Sequence, residues 1–187
     1  MRNVIYSMNV SLDGYVEDAS GSLDWALVDE EIHQFFNDQE QSFDVTLYGR
    51  RLYETMHPYW STAEQEPDLR EVEKEYARIW NSIPKIVFSR TLDHVEGNAT
   101  LKRDGLIEEV TRLRAEPGGS ISVGGPTLAA GLIEAGLIDE FRPVIHPVVL
   151  GGGKPFLPSL DTPIKLKLLE SRRFASGATY LRYARAD

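Results

Sequence analysis

The sequence predicts an α/β fold: a central mixed, mostly parallel sheet of about eight strands with flanking helices and a C-terminal antiparallel hairpin. Three observations carry this. Short apolar runs alternate with segments of helical period along most of the chain. Runs 45–48 and 121–123 are followed directly by glycine turns that open helices, as strand-to-helix connections do. Beyond residue 160 the helical period gives way to two alternating segments around Ser176-Gly177, a hairpin signature. At 187 residues, 42% hydrophobic and 26% charged, the chain is long enough for one domain over 1–187 whose core needs no disulfide or metal staple.

Taken in order, the pattern predicts a strand over 4–10, a loop over 11–22 and a helix over 29–41. A buried strand over 45–48 leads into a helix over 49–56 that Pro58 should break. Leu69, Val72, Tyr76, Ile79 and Trp80 recur at helical spacing, which predicts an amphipathic helix within 67–83. Strands over 86–89 and 99–101, a helix over 106–114 and a strand over 121–123 follow. Pro126 and Gly136 bracket a helix over 126–135, with proline in its first turn and glycine just past its end. A strand over 141–150 and hairpin arms over 164–172 and 178–185 finish the reading.

Twenty basic against 29 acidic residues give a net charge of −9, which argues against a face for nucleic acid. Local cations and helix starts can still hold a phosphate on such a chain. With no cysteine there is no disulfide framework, thiolate nucleophile or Cys-based zinc site. His33, His57, His94 and His146 lack metal-ligand spacing, so no metal site is expected. His146, between Pro143 and Pro147, reads as a hydrogen-bonded core histidine. The first residues carry no apolar signal segment and no apolar run is long enough to span a bilayer. A soluble cytoplasmic protein with no membrane partner is expected.

Gly124-Gly125-Pro126-Thr127 joins a strand to a helix, and two readings stand. The free N–H groups of the helix start can cradle an anion such as pyrophosphate, or the glycines make only a tight turn. Gly151-Gly152-Gly153-Lys154-Pro155 is not a phosphate loop, because Val148 and Pro155 occupy positions that need Gly and Ser/Thr. Gly49-Arg50-Arg51 and Ser89-Arg90-Thr91 each end a strand. Arg50 and Arg90 are therefore candidates to meet phosphate at one sheet edge, and a 2′-phosphate suits a Ser-Arg pair better than a free hydroxyl does. Surface ion pairing is the alternative for each arginine. Asp13 lies in a Gly-containing loop suited to closing over a ligand, or it caps a turn. Trp25, Asp29 and Glu30 stand at a loop-to-helix junction. A carboxyl beside Trp25 could protonate a ring nitrogen or hold an amidine-like edge, or these acids serve only the helix dipole.

In chain order, Asn9–Gly14, Leu47–Arg50, Pro84–Thr91, Ser122–Thr127 and Leu137–Glu140 through Pro155 resemble the dihydrofolate-reductase-like superfamily. The nearest branch is similar to the riboflavin-biosynthesis reductase domain, the C-terminal domain of the bifunctional deaminase-reductase. That resemblance implies an NADPH-dependent oxidoreductase delivering hydride to a small heterocyclic substrate, with 5-amino-6-(5-phosphoribosylamino)uracil as the leading substrate and a homodimer as the assembly. It assigns Gly49, Arg50, Arg51, Ser89, Arg90 and Thr91 to the adenosine phosphates and Gly124, Gly125, Pro126 and Thr127 to the pyrophosphate. Asp13 and Glu30 become the catalytic acids, and Tyr15, Trp25 and Asp29 the substrate contacts. The chain departs from the pattern at Leu52, at Val123 and along the acidic segment from Asp29 to Phe36, which is a poor receiver for a ribosyl phosphate.

Overall fold

The structure, a computed structural model, describes residues 1–186; Asp187, the last residue of the expected 1–187 domain, lies outside the described residues. In chain order the elements are β1 (Val4–Ser11), β2 (Tyr15–Glu17), α1 (Glu30–Glu40), β3 (Phe43–Gly49) and α2 (Arg50–Trp60). A short 3-10 turn (Ala63–Gln65) precedes α3 (Glu71–Ser82), β4 (Lys85–Phe88), β5 (Ala99–Lys102), α4 (Leu106–Ala115) and β6 (Ser120–Gly124). Then come α5 (Pro126–Glu134), β7 (Glu140–His146), β8 (Lys154–Pro155), β9 (Leu166–Arg173) and β10 (Thr179–Arg185).

Eight strands form one sheet in the order β5-β4-β3-β6-β1-β7-β10-β9. The pairs from β5 through β7 are parallel, and β10 is antiparallel to both β7 and β9. Tyr6, Leu47, Ile121 and Val123 pack on Val110, Leu113, Leu128 and Leu132, which belong to α4 and α5. At the other end of the sheet, Ile32 and Phe35 of α1 bury against Val144, Phe174 and Tyr180. Each such side chain contributes roughly 1.5–3 kcal/mol by leaving water. Asp29 starts α1 as its N-cap: its carboxylate accepts the Ile32 N–H at 2.9 Å, and Glu30 and Glu31 complement the dipole.

Four local expectations change. Helix α2 runs through Pro58 to Trp60. At the ninth of eleven positions the proline forfeits one N–H bond, while Trp60 gains an edge-on contact with Tyr76 at 4.5 Å. Helix α3 starts only at Glu71, where Glu73 accepts from the Arg70 N–H and guanidinium. Strand β7 stops at His146, because Pro147 has no N–H to continue a ladder. The small β2–β8 pair is too short to show a period in the sequence.

The strand order matters for the site. Strand β6 inserts between β1 and β3, so the carboxyl ends of all three meet at one edge, where ligands of open α/β sheets bind. Register places Thr46 beside Ser122 and Tyr48 beside Gly124.

Candidate functional site

A cavity of about 560 Å³ opens at this edge between the starts of α2 and α5. Gly49, Arg50, Arg51 and Leu52 line one side and Gly124, Gly125, Pro126, Thr127 and Leu128 the other. Both helices begin on a glycine N-cap with no side-chain cap bond. An α-helix leaves its first N–H groups without intrahelical partners, and those of Thr127 and Leu128 therefore stand at the cavity wall with the positive end of the dipole. The two readings of the glycine pair prove compatible. A Cβ on Gly124 would stand 2.6 Å from Tyr48 Cε1, so close packing requires glycine there. Gly125 turns the chain at φ +94°, which other residues rarely adopt. Arg50 pairs with Glu54 at 3.3 Å and Arg51 with Glu17 at 3.0 Å. The Arg50–Glu54 pair is exposed, and such pairs contribute at most about 1 kcal/mol, so the Arg50 guanidinium can exchange its partner for an anion at small cost; the Arg51 guanidinium is exposed too, but its partner Glu17 is half-buried.

The expected convergence of Arg50 with Arg90 is not seen. Phe88 reaches the cavity, but Ser89, Arg90 and Thr91 do not line it. The Ser89 hydroxyl accepts from the N–H groups of Thr91 and Leu92, and the exposed Arg90 guanidinium pairs with Asp104. Arg51 rather than Arg90 stands with Arg50.

Asp13 is corrected as well. Its exposed carboxylate accepts from Ser11 Oγ at 2.7 Å, Leu150 N at 3.1 Å and Gly151 N at 2.7 Å. These bonds, the Ser11 hydroxyl first, lower its pKa to about 2. An acid held ionised has no proton to give near neutral pH, and Asp13 serves as a clasp between two loops. Glu30 is exposed on the first turn of α1, where the dipole reading suffices. Asp29 is occupied as the N-cap. Tyr15 pairs with Pro155 across β2 and β8, and Trp25 packs edge-on against His146 at 5.7 Å. Asp13, Glu30, Tyr15, Trp25 and Asp29 all lie outside the lining of both cavities described here. His146 is buried and hydrogen-bonded to Asn9 Oδ1 at 2.8 Å, as the sequence indicated.

A second cavity, about 240 Å³, adjoins the first; Met8, Leu23, Leu52 and Gly124 wall both. Phe36, Trp60 and Tyr76 give it aromatic sides, while Ser7, Asn9, Thr46 and Ser122 bring small polar groups from the strands. Its one charged lining side chain among the described residues is Glu40, at the end of α1. Burial pushes the Glu40 carboxyl up to about 7, with Lys85 pulling in the opposite direction. Burial also lowers Lys85 to about 8, and raises the Tyr48 and Tyr76 phenols, with Glu40 adding to both. The sequence reading missed Glu40, although a signal was present. His33, Phe36 and Glu40 are spaced by three and four, which places the acid on the inward stripe of α1.

Residues 2–180 match the family model described as the RibD C-terminal domain. The uncharacterized protein YyaP of Bacillus subtilis (strain 168) is 38% identical over 97% of this chain and 94% of its own. A crystal structure from Shewanella sp. PV-4, provisionally named for riboflavin biosynthesis, superposes with a TM-score of 0.78 at 23% identity, covering 100% of both chains. Dihydrofolate reductase from Enterococcus faecalis, solved with NADP(H), gives 0.66 at 19% identity over 99% of this chain and 97% of that one. At these identities the two structures establish the fold alone. The chain belongs to the RibD C-terminal domain family, on a dihydrofolate-reductase-like fold.

Proposed function

We infer that this protein is an NADPH-dependent reductase whose dinucleotide lies in the larger cavity. One observation carries the reading: two helix starts without side-chain caps and two arginines face a single cavity on a chain of net charge −9. The N–H groups at Thr127 and Leu128 suit a pyrophosphate, and Gly125 lets the backbone come close to it. Arg50 and Arg51 suit a further phosphate on the adenosine side. When bound, the dinucleotide supplies a hydride. This chain's own residues bind it, orient it and exclude water around it.

For the substrate, family membership supports 5-amino-6-(5-phosphoribosylamino)uracil. The small cavity favours a second reading, a dihydrofolate-reductase-type reaction on another small heterocycle, because among the described residues no Lys or Arg lines it to receive a ribosyl phosphate. Calorimetry with NADPH and NADH, followed by optical measurement of NADPH oxidation with each substrate class, tests the proposal. Tighter binding of NADPH than NADH and turnover of one class are expected. Failure to bind either dinucleotide overturns the reading, and binding without turnover of any candidate identifies a nucleotide-binding protein instead.

A further inference from the structure

Asn9 and His146 form a polar pair on the face of the sheet that α1 covers. Strand pairing sets Asn9 beside Val144 and Ser11 beside His146, so the two side chains are diagonal neighbours on one face. His146 Nε2 lies 2.8 Å from Asn9 Oδ1. An amide oxygen only accepts, so Nε2 carries the proton and donates it. Burial drives the imidazole toward its neutral form, with Asp29 pulling the other way. A neutral imidazole has a single N–H, and here Asn9 takes it. His146 is itself fixed. Trp25 stands edge-on to its ring at 5.7 Å, and the Val148 N–H donates to its carbonyl at 2.8 Å.

The Asn9 amide is used at only one end. Its Nδ2 makes no hydrogen bond among the described residues and is not sealed from water. Asn9 lines the smaller cavity and not the larger, so the free N–H groups open on to the smaller one. A pair that only completed the core would close both ends of the amide. The other small polar groups of the lining are less committed. The Ser7 hydroxyl donates to the Arg142 carbonyl at 2.9 Å and keeps only its lone pairs, while the Thr46 and Ser122 hydroxyls can turn to donate or accept. Asn9 therefore presents a donor whose direction the imidazole has already chosen, and the group complementary to it is an acceptor oxygen. No cationic side chain lines this cavity among the described residues, so a neutral carbonyl suits it better than a carboxylate or phosphate.

We propose that Asn9 is a substrate-binding residue that donates from Nδ2 to a carbonyl oxygen of the substrate, and that His146 is the positioning residue that holds the amide in this orientation. This deepens the reductase reading and rests on it. Without the Nε2–H donor the amide is free to turn over and offer its oxygen, which sets an acceptor against an acceptor. The pair thus selects among substrates by the polarity of one group. Because Asn9 stays off the larger cavity, it acts on the substrate and leaves dinucleotide affinity unchanged.

Two measurements decide it. In protein carrying ¹⁵N-labelled histidine, the His146 ring, assigned by its absence in His146→Gln, is expected to show a protonated Nε2 and a bare Nδ1 at neutral pH. A proton on Nδ1 instead overturns the positioning role. The second measurement is calorimetry with uracil, a neutral ring bearing carbonyl oxygens, as the probe. Uracil should bind wild type, and should bind Asn9→Ala and His146→Leu each about tenfold more weakly, the effect of one hydrogen bond. His146→Gln, whose amide N–H can stand in for the Nε2–H, should recover most of that loss. No uracil binding to wild type, equal binding to wild type and Asn9→Ala, or the same loss in His146→Gln as in His146→Leu overturns the proposal. Failure of wild type to bind NADPH overturns the reductase reading. NADPH binding with uracil affinity unchanged in Asn9→Ala overturns the Asn9 assignment alone.

Discussion

Arg50 and Arg90 both follow strand ends, yet they make opposite tests of the site. Arg50 lines the larger cavity, while Arg90 lies outside its lining and pairs with Asp104 at the surface. Arg50→Ala should weaken NADPH by about 1–3 kcal/mol, the range for hydrogen bonds to charged groups, and NADH much less. Arg90→Ala should change neither; calorimetry on the two variants reads this directly. Gly124→Ala tests packing at the same place. Its added methyl would overlap Tyr48 and Leu52, and overpacking of this kind costs typically 1–3 kcal/mol, visible as a lowered Tm. Glu40 gives a pH signature. Its folded pKa lies above its unfolded value, so its contribution to stability is fully present below the unfolded pKa and is lost as pH rises through about 7. Glu40→Gln should therefore leave Tm unchanged near pH 4 and raise it near pH 8, by roughly 2–3 kcal/mol in stability. A Tm gain that is the same at both pH values removes the buried-charge explanation.

Among the elements, loops and the sheet edge behave differently from the helices. The Asp13 clasp ties the turn after β1 to the chain that leaves β7. Because Asp13 ionises at about 2, the clasp should persist through mildly acidic pH. Asp13→Asn should speed hydrogen exchange at the Leu150 and Gly151 amides while leaving amides of the central strands protected. At the far edge, all eight residues of β9 are exposed, with Leu168 at 49% and Leu169 at 45%. An unpaired strand edge carrying leucines on both faces is a template for another strand. We propose that the homodimer implied by the family resemblance forms there, with a second copy of this chain as the occupant. Light scattering should give twice the chain mass for wild type and the single mass for a Leu168→Lys, Leu169→Lys variant; a wild-type monomer ends this placement.

At the scale of the whole molecule, function follows from strand order. Strands β3, β4 and β5 lie side by side in chain order, but β6 then returns between β1 and β3. That crossing brings Met8, Leu52 and Gly124 to one wall between the two cavities. No helix among the described residues is long and apolar enough to cross a membrane.

The α/β class, the parallel sheet with its terminal hairpin, and the glycine-led helix starts at Gly49 and Gly125 were all legible along the chain. These depend on periodicity and on turn chemistry, which are local properties of the chain. Which charged groups share a cavity depends on the folded arrangement. Glu40 enters unannounced beside the expected Arg50 and Arg51, while Arg90 stays outside, paired with Asp104, and Asp13 bonds to the Leu150–Gly151 backbone. A side chain's partner and its solvation are set by residues far away in sequence, so neither can be read from neighbours along the chain.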